Sequence, residues 1–208
     1  MSTWTSRRWA GAAALILALS GCEGEGTGEG FSLLPQQARN NALTSAEIVP
    51  GTVVAQGPRG FCLDKRRLEA SRSGGFALLA SCAALGKPSP QPAAPNALMT
   101  IQALPQQSGG SVDAEGLAEA FAAYGPISRE SRDGLSLVQL ERGGDEVITN
   151  GDMKHWRAAL TVNGYQVGLT LYSEKGGVAA TTEGKALIRA FAKRVVAASA
   201  SGSQASGE

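Results

Sequence analysis

HWRAALTVNGYQVGLTLYS, residues 155–173, holds two runs of mainly apolar and aromatic residues on either side of Asn163 and Gly164. Asn-Gly in that setting is the strongest short-range hairpin signal, because both central positions of the matching turn need positive φ. Two antiparallel strands are therefore expected near the carboxyl end. After them, Thr181 or Thr182 is placed to cap a helix through EGKALIRAFAKRVVAA (183–198). Its Leu187, Phe191 and Val195 share one stripe, with Lys185, Arg189 and Lys193 opposite. That stripe needs a sheet face to cover, so the hairpin sets the architecture.

Towards the amino end the same patterning continues. LSLVQL (135–140) reads as a strand, and DAEGLAEAFAAYG (113–125) as a helix with Leu117, Phe121 and Tyr124 at i, i+4 and i+7. ALMTIQAL (97–104), FALLASC (76–82), GFCLD (60–64) and IVPGTVVAQ (48–56) read as strands. Asp64 offers a side-chain cap to a short helix through KRRLEASR (65–72), stopped by Gly74 and Gly75. The expected fold is α+β: a largely antiparallel sheet packed by two main helices, with a short helix between the strands that carry Cys62 and Cys82. One globular domain over 47–198 is expected, broken by a proline-rich loop at 86–96 and followed by a disordered tail at 199–208.

The first 21 residues combine a basic start at Arg7 and Arg8, an apolar run from Ala10 to Leu19, and the small pair Ser20 and Gly21. This is the layout of a secretory signal peptide, with an apolar run too short to span a bilayer. Leu19, Ser20, Gly21 and Cys22 match the lipobox of bacterial lipoprotein precursors. The resemblance implies cleavage before Cys22, a diacylglycerol on its sulfur and a fatty acid such as palmitate on the new amino terminus. The competing reading is a soluble exported protein with a spare thiol. Lipidation of Cys22 would leave Cys62 and Cys82 as an even pair in an oxidising compartment. A disulfide between them closes a loop of about 20 residues, worth about 3 kcal/mol in the chain-entropy model. Two buried free cysteines, or a two-cysteine metal site, are the alternatives; the latter is poorly served by a chain with His155 as its one histidine. Residues 22–46 read as a flexible tether with a reach of roughly 25–30 Å.

Localisation follows from these features as an expectation: lipid-anchored in the cell envelope and facing the periplasm. Glu23, in place of the aspartate that retains many enteric lipoproteins at the inner membrane, favours the outer one. Arg7 and Arg8 lack the residues that usually follow them in twin-arginine signals, so export is expected to be unfolded, with no cofactor loaded beforehand. Without the leader, the chain has 17 basic against 18 acidic side chains, which argues against a nucleic-acid partner.

The whole chain resembles an uncharacterised family of small proteobacterial envelope lipoproteins, through GFCLD, GGFALLASC, HWRAALTVNG and VGLTLY. Its second half resembles the PsbP-like fold in topology. Members of the lipoprotein family are sometimes labelled cation-transport ATPase or dihydroxy-acid dehydratase, and the residues here do not support either label. No GxxxxGK[ST] loop is present to cradle phosphate, Asp64-Lys65 continues as Arg-Arg unlike a pump phosphorylation motif, and two paired thiols cannot hold an iron–sulfur cluster.

Other chemistry is equally sparse. No GxSxG elbow occurs, so no catalytic residue and no metal site is assigned. His155 lies beside Asp152, which admits an Asp–His pair; the plainer reading is a partly exposed histidine leading into a strand. Asp145, Glu146 and Asp152 read as turn residues. Trp156, Tyr165 and Tyr172, with His155, form a candidate ligand surface. Lys65, Arg66, Arg67 and Arg72 form a candidate contact for anionic lipid, or else a solvated helix face. The expected function is a non-catalytic interaction or scaffold domain that meets the membrane through its lipid and an envelope protein through its surface. A small-ligand or lipid-binding module is the alternative, and an enzyme the third.

Overall fold

The computed structural model describes residues 41–87, 94–107 and 110–205. The leader, Cys22, the tether up to residue 40 and most of the proline-rich loop lie outside the described residues. The elements, in order, are β1 (Ala42–Leu43), β2 (Ser45–Val49), β3 (Val53–Gln56), β4 (Phe61–Glu69), β5 (Gly75–Ser81), β6 (Ala97–Pro105), α1 (Ala114–Ala120), β7 (Pro126–Arg132), β8 (Leu135–Leu140), β9 (His155–Val162), β10 (Tyr165–Ser173) and α2 (Thr182–Ala205).

The fold is α+β. Eight strands form one antiparallel sheet in the order β1-β4-β5-β6-β10-β9-β8-β7, and β2 and β3 form a separate two-stranded ribbon. Asn163 and Gly164 both have positive φ, 48° and 80°, and Val162 pairs with Tyr165 across them. The hairpin is thus the tight type its sequence predicts. β10 then pairs along its other edge with β6, from Tyr165 opposite Pro105 to Ser173 opposite Ala97.

Alternation along the strands builds two different faces. One face carries Ala77, Leu79, Met99, Ile101, Leu137, Trp156, Leu169 and Leu171, and packs with Ile188, Phe191 and Val195 of α2 and with Ile48, Val53 and Ala55 of the ribbon. That is the main core. Gly75 is a steric requirement there, since a Cβ at this position would lie 2.0 Å from the Ile48 carbonyl oxygen. The other face is covered in part by α1, where Leu117 and Ala118 pack on Val138, Leu140 and Ala159. Asp113 caps that short helix by accepting the Gly116 N–H at 2.8 Å.

Cys62 and Cys82 form a disulfide with Cα atoms 4.8 Å apart. The segment between them departs from expectation, because the short helix over 65–72 does not form. β4 instead continues through Arg67 to Glu69, and its ladder with β5 jumps from Leu63–Leu79 to Leu68–Ala77. Asp64 to Arg67 therefore bulge out of register opposite Leu78 alone. Asp64 does not cap a helix; its buried carboxylate accepts the Arg66 backbone N–H and two guanidinium N–H groups, at 2.9–3.0 Å. Burial raises this carboxyl's pKa, but the Arg66 hydrogen bonds and charge outweigh it and hold it below its ordinary value. The bulge turns Lys65, Arg66 and Arg67 out to solvent while Asp64 stays buried and the apolar residues on either side stay in the core, a solution that competes with helix in a charged run.

Three further corrections concern boundaries and an added strand. The ordered chain starts before residue 47, since β1 pairs with Leu63 and Asp64 of β4; tether sequence up to Ala46 thus contributes strands. Nor does structure end at residue 198. α2 runs to Ala205, and Ser199 is buried where its hydroxyl accepts the Val54 N–H at 3.0 Å. Finally, PISRESR (126–132) is edge strand β7, turned back into β8 by Asp133 and Gly134 at positive φ. Glu130 on this strand binds Lys185 and Arg189 of α2, which holds its carboxyl below the usual range. α2's buried stripe is accordingly Ile188, Phe191, Ala192 and Val195, with Leu187 on its flank.

Candidate functional site

Beyond α1, the second sheet face stays open. Pairing registers place Phe76, Gln102, Gly168 and Ala159 in one row across β5, β6, β10 and β9, and Leu78, Thr100, Thr170 and Arg157 in the next. Beyond them Leu98 pairs with Tyr172, on whose ring His155 stacks. Over these rows lies a groove of about 540 Å³, walled by Phe76 and Leu104 on one side and by Leu117 and Phe121 on the other. Leu104 and Val147 stand at its rim half exposed, at 50% and 51%. Its volume falls within the roughly 300–1,000 Å³ of ordinary small-molecule sites.

Gly168 accounts for the depth of the groove. A glycine inside a strand weakens it, and often marks close approach by something else. Nothing lies within 4 Å of where its Cβ would be, and its neighbour across the ladder is the small Ala159. The floor is therefore low in its middle and flanked by larger side chains.

Arg157 is the charge in this groove. Its guanidinium donates to the Thr170 hydroxyl and to the Tyr172 hydroxyl, each at 3.0 Å. It lies 4.8 Å from the centre of the Phe121 ring and 5.8 Å from that of Tyr172, within cation–π range. No carboxylate among the described residues makes an ion pair with it, and its Nε, though buried, has no hydrogen-bond partner there. Two hydroxyls and two ring faces hold the cation in place without neutralising it.

His155 closes one end of this assembly. It is 1% exposed, not the partly exposed residue anticipated, and its ring stacks on Tyr172 at 5.2 Å with Tyr124 edge-on at 6.3 Å. Burial, reinforced by the charge of Arg157, pushes its pKa down to about 4, so the imidazole is neutral near pH 7. Burial also raises the Tyr172 phenol above its usual value. The Asp–His pair is not formed. Asp152 accepts the Lys154 and Gly176 N–H groups at 2.8 and 2.7 Å, a turn role, and the His155 Nδ1 faces only the Met153 carbonyl, at 3.4 Å.

The structure separates the four residues of the anticipated ligand surface. Tyr172 and His155 face the groove side. Trp156 is buried in the main core on the opposite face, and Tyr165 packs at the edge of that same core while donating its hydroxyl to the Arg72 carbonyl. Arg157, Thr170, Phe121 and Gly168 were not anticipated. The hairpin register contains the missing signal, since a two-residue turn at 163–164 pairs Trp156 with Leu171 and places Tyr172 beside His155.

Lys65, Arg66, Arg67 and Arg72 are exposed, on the bulge and the following turn instead of a helix. Arg66 is paired with Asp64. Among the described residues, no three His, Cys, Asp or Glu side chains gather as a metal site, and no helix is long and apolar enough to cross a membrane.

Fold and site together define an α+β domain with one closed core face and one grooved, cation-bearing face. No family model, curated protein or solved structure matches this chain significantly.

Proposed function

We propose that this chain is a lipid-anchored, non-catalytic binding domain of the bacterial cell envelope that takes a small apolar or amphipathic molecule into the groove over β6, β9 and β10. The groove itself carries this reading: its lining is mainly apolar, its floor is lowered at Gly168, and Arg157, Thr170 and Tyr172 converge at one end, as in ligand sites generally. His155 does not line the groove and its Nδ1 is turned to the Met153 carbonyl, so it is not positioned to take a proton from a molecule bound there. A diazirine-bearing alkane, photolysed in envelopes containing the full protein, is expected to label peptides with Phe76, Leu104 or Phe121. Gly168→Phe, which fills the floor, should abolish that labelling. Labelling that stays elsewhere on the chain, or is indifferent to Gly168→Phe, would contradict the reading.

The anchor belongs to the same proposal. The lipobox at Leu19 to Cys22 supports attachment at Cys22, and Glu23 supports the outer membrane. Cys22→Ala is expected to abolish metabolic labelling by a fatty-acid probe and to leave unprocessed precursor or unanchored protein. Unchanged labelling would sink the assignment.

An envelope protein as partner is the second reading, favoured by the apolar Ile127 and Met153, exposed at 48% and 55%. Specific recovery of one envelope protein by crosslinking at these two positions would support it.

A further inference from the structure

We infer that the groove selects a single-chain carboxylate amphiphile, its head on Arg157 and its chain along the apolar wall towards Leu104. This assignment rests on the groove being a ligand site and names what fills it.

The argument starts from the state of the cation. Buried or half-buried guanidinium groups normally sit against carboxylates, because leaving such a charge unneutralised in an apolar setting is costly. Arg157 has two neutral hydroxyls and two aromatic faces instead, and its Nε is buried without a partner. Its two bonded donors hold the guanidinium plane fixed. A planar, two-oxygen anion matches the remaining fork of donors better than a point charge would. The neighbouring titratable groups add no negative charge: His155 is neutral near pH 7, and burial keeps Tyr172 protonated there.

The apolar part of the ligand follows from the direction of the groove. From Arg157 and Thr170 the floor descends to Gly168 and Ala159 and is flanked by Phe76, Leu104, Leu117 and Phe121, with the uncharged amides of Gln102 and Gln166 between them. Away from the cation the lining is uncharged and mainly apolar, and the half-exposed Leu104 marks the far rim. A head group at one end and an unbranched chain along the rest fit this polarity. A diacyl lipid would need room for two chains, and a short hydrophilic anion would leave the walls uncovered.

The experiment uses the full lipoprotein in isolated envelopes and three diazirine probes of equal length: a dodecanoate, the matching alcohol and the matching ammonium. Labelled sites are read by peptide mass spectrometry. The carboxylate is expected to label the groove about tenfold more than the alcohol, as loss of a hydrogen bond to a charged group implies, and the ammonium least. Arg157→Met should bring carboxylate and alcohol to equal labelling, and Arg157→Lys should restore part of the preference. Gly168→Phe should remove all three. Equal labelling of the unmodified protein by carboxylate and alcohol, both within the groove, would overturn the carboxylate assignment and leave the groove reading standing. No labelling of the groove by any probe would overturn both. Because the probe comparison on the unmodified protein decides by itself, a variant that fails to fold does not block the test.

Discussion

Protein made in an oxidising compartment with Cys62→Ser and Cys82→Ser is expected to melt about 6–12 °C lower than the parent while keeping its secondary structure. The loop closed by the disulfide spans 20 residues, and constraining a loop of that size in the unfolded chain is worth about 3 kcal/mol. For a domain of this length each kcal/mol moves the melting point by about 2–4 °C. Secondary structure should survive, because β4 and β5 are also joined by backbone pairing and by burial of Leu63, Ala77 and Leu79 in the main core. Cys62, Cys82 and Leu85 form only a small satellite cluster of their own. Calorimetry of the two proteins, with a thiol assay on the denatured parent, provides the check. Two reactive thiols in the parent, or identical melting points, would refute it.

Acid should weaken the fold through His155, and the direction follows from its two protonation states. Folded, the imidazole takes a proton only near pH 4; unfolded, it does so near its ordinary 6.5. Between those values the unfolded chain binds more protons, so this contribution is complete above about pH 6.5 and is lost as pH falls towards 4. With each tenfold in proton affinity worth about 1.4 kcal/mol, the full loss approaches about 3 kcal/mol. No carboxylate makes a compensating contact: the groups facing the ring are Tyr172, Tyr124 and the Arg157 guanidinium, which opposes a second positive charge. His155→Gln should flatten the fall in melting temperature between pH 7 and pH 4.5 relative to the parent. Asp64 and Glu130 also lose stabilising interactions in acid, but they are present in both proteins, so the difference isolates the histidine. Parallel curves would show that His155 is accessible to protons in the folded state.

The β9–β10 hairpin was legible because Asn163-Gly164 sits between two strongly patterned runs, and α2 because its apolar positions recur at helical spacing. KRRLEASR misled because charged residues with good helix propensity carry no trace of what their neighbours pair with. Leu63 and Leu68 both reach the core from one strand, and the bulge between them disposes of the charges. β7 is marked in the sequence only by Asp133-Gly134, a hairpin signal of the same kind as Asn163-Gly164. PISRESR lacks apolar alternation, since it lies at an edge and is secured through Glu130 and α2. The candidate ligand surface divides by strand parity: Trp156 and Tyr165 join the main core, and His155 and Tyr172 lie on the opposite face. Arg157 carries no sequence signal of its own, because a single arginine inside a strand usually faces solvent, and only the pairing with Thr170 and Tyr172 reveals its setting.

The seam between β6 and β10 bears on the order in which this chain can assemble. Its paired residues are 60 apart at one end, Pro105 with Tyr165, and 76 apart at the other, Ala97 with Ser173. β4, β5 and β6 are neighbours in a local meander, as are β7 to β10, so each half can form early at small loop-closure cost, while the seam waits for both. A chain delivered amino end first, from a ribosome or a translocation channel, presents β6 as an unpaired edge until residue 173 has emerged. Such an edge invites pairing with other chains. The Cys62–Cys82 crosslink lies wholly within the first half and can close during that interval, tying β4 to β5 before the second meander arrives. For the exported chain proposed above, a partly folded form held by that bond with β6 still open is the form a chaperone of that compartment would meet.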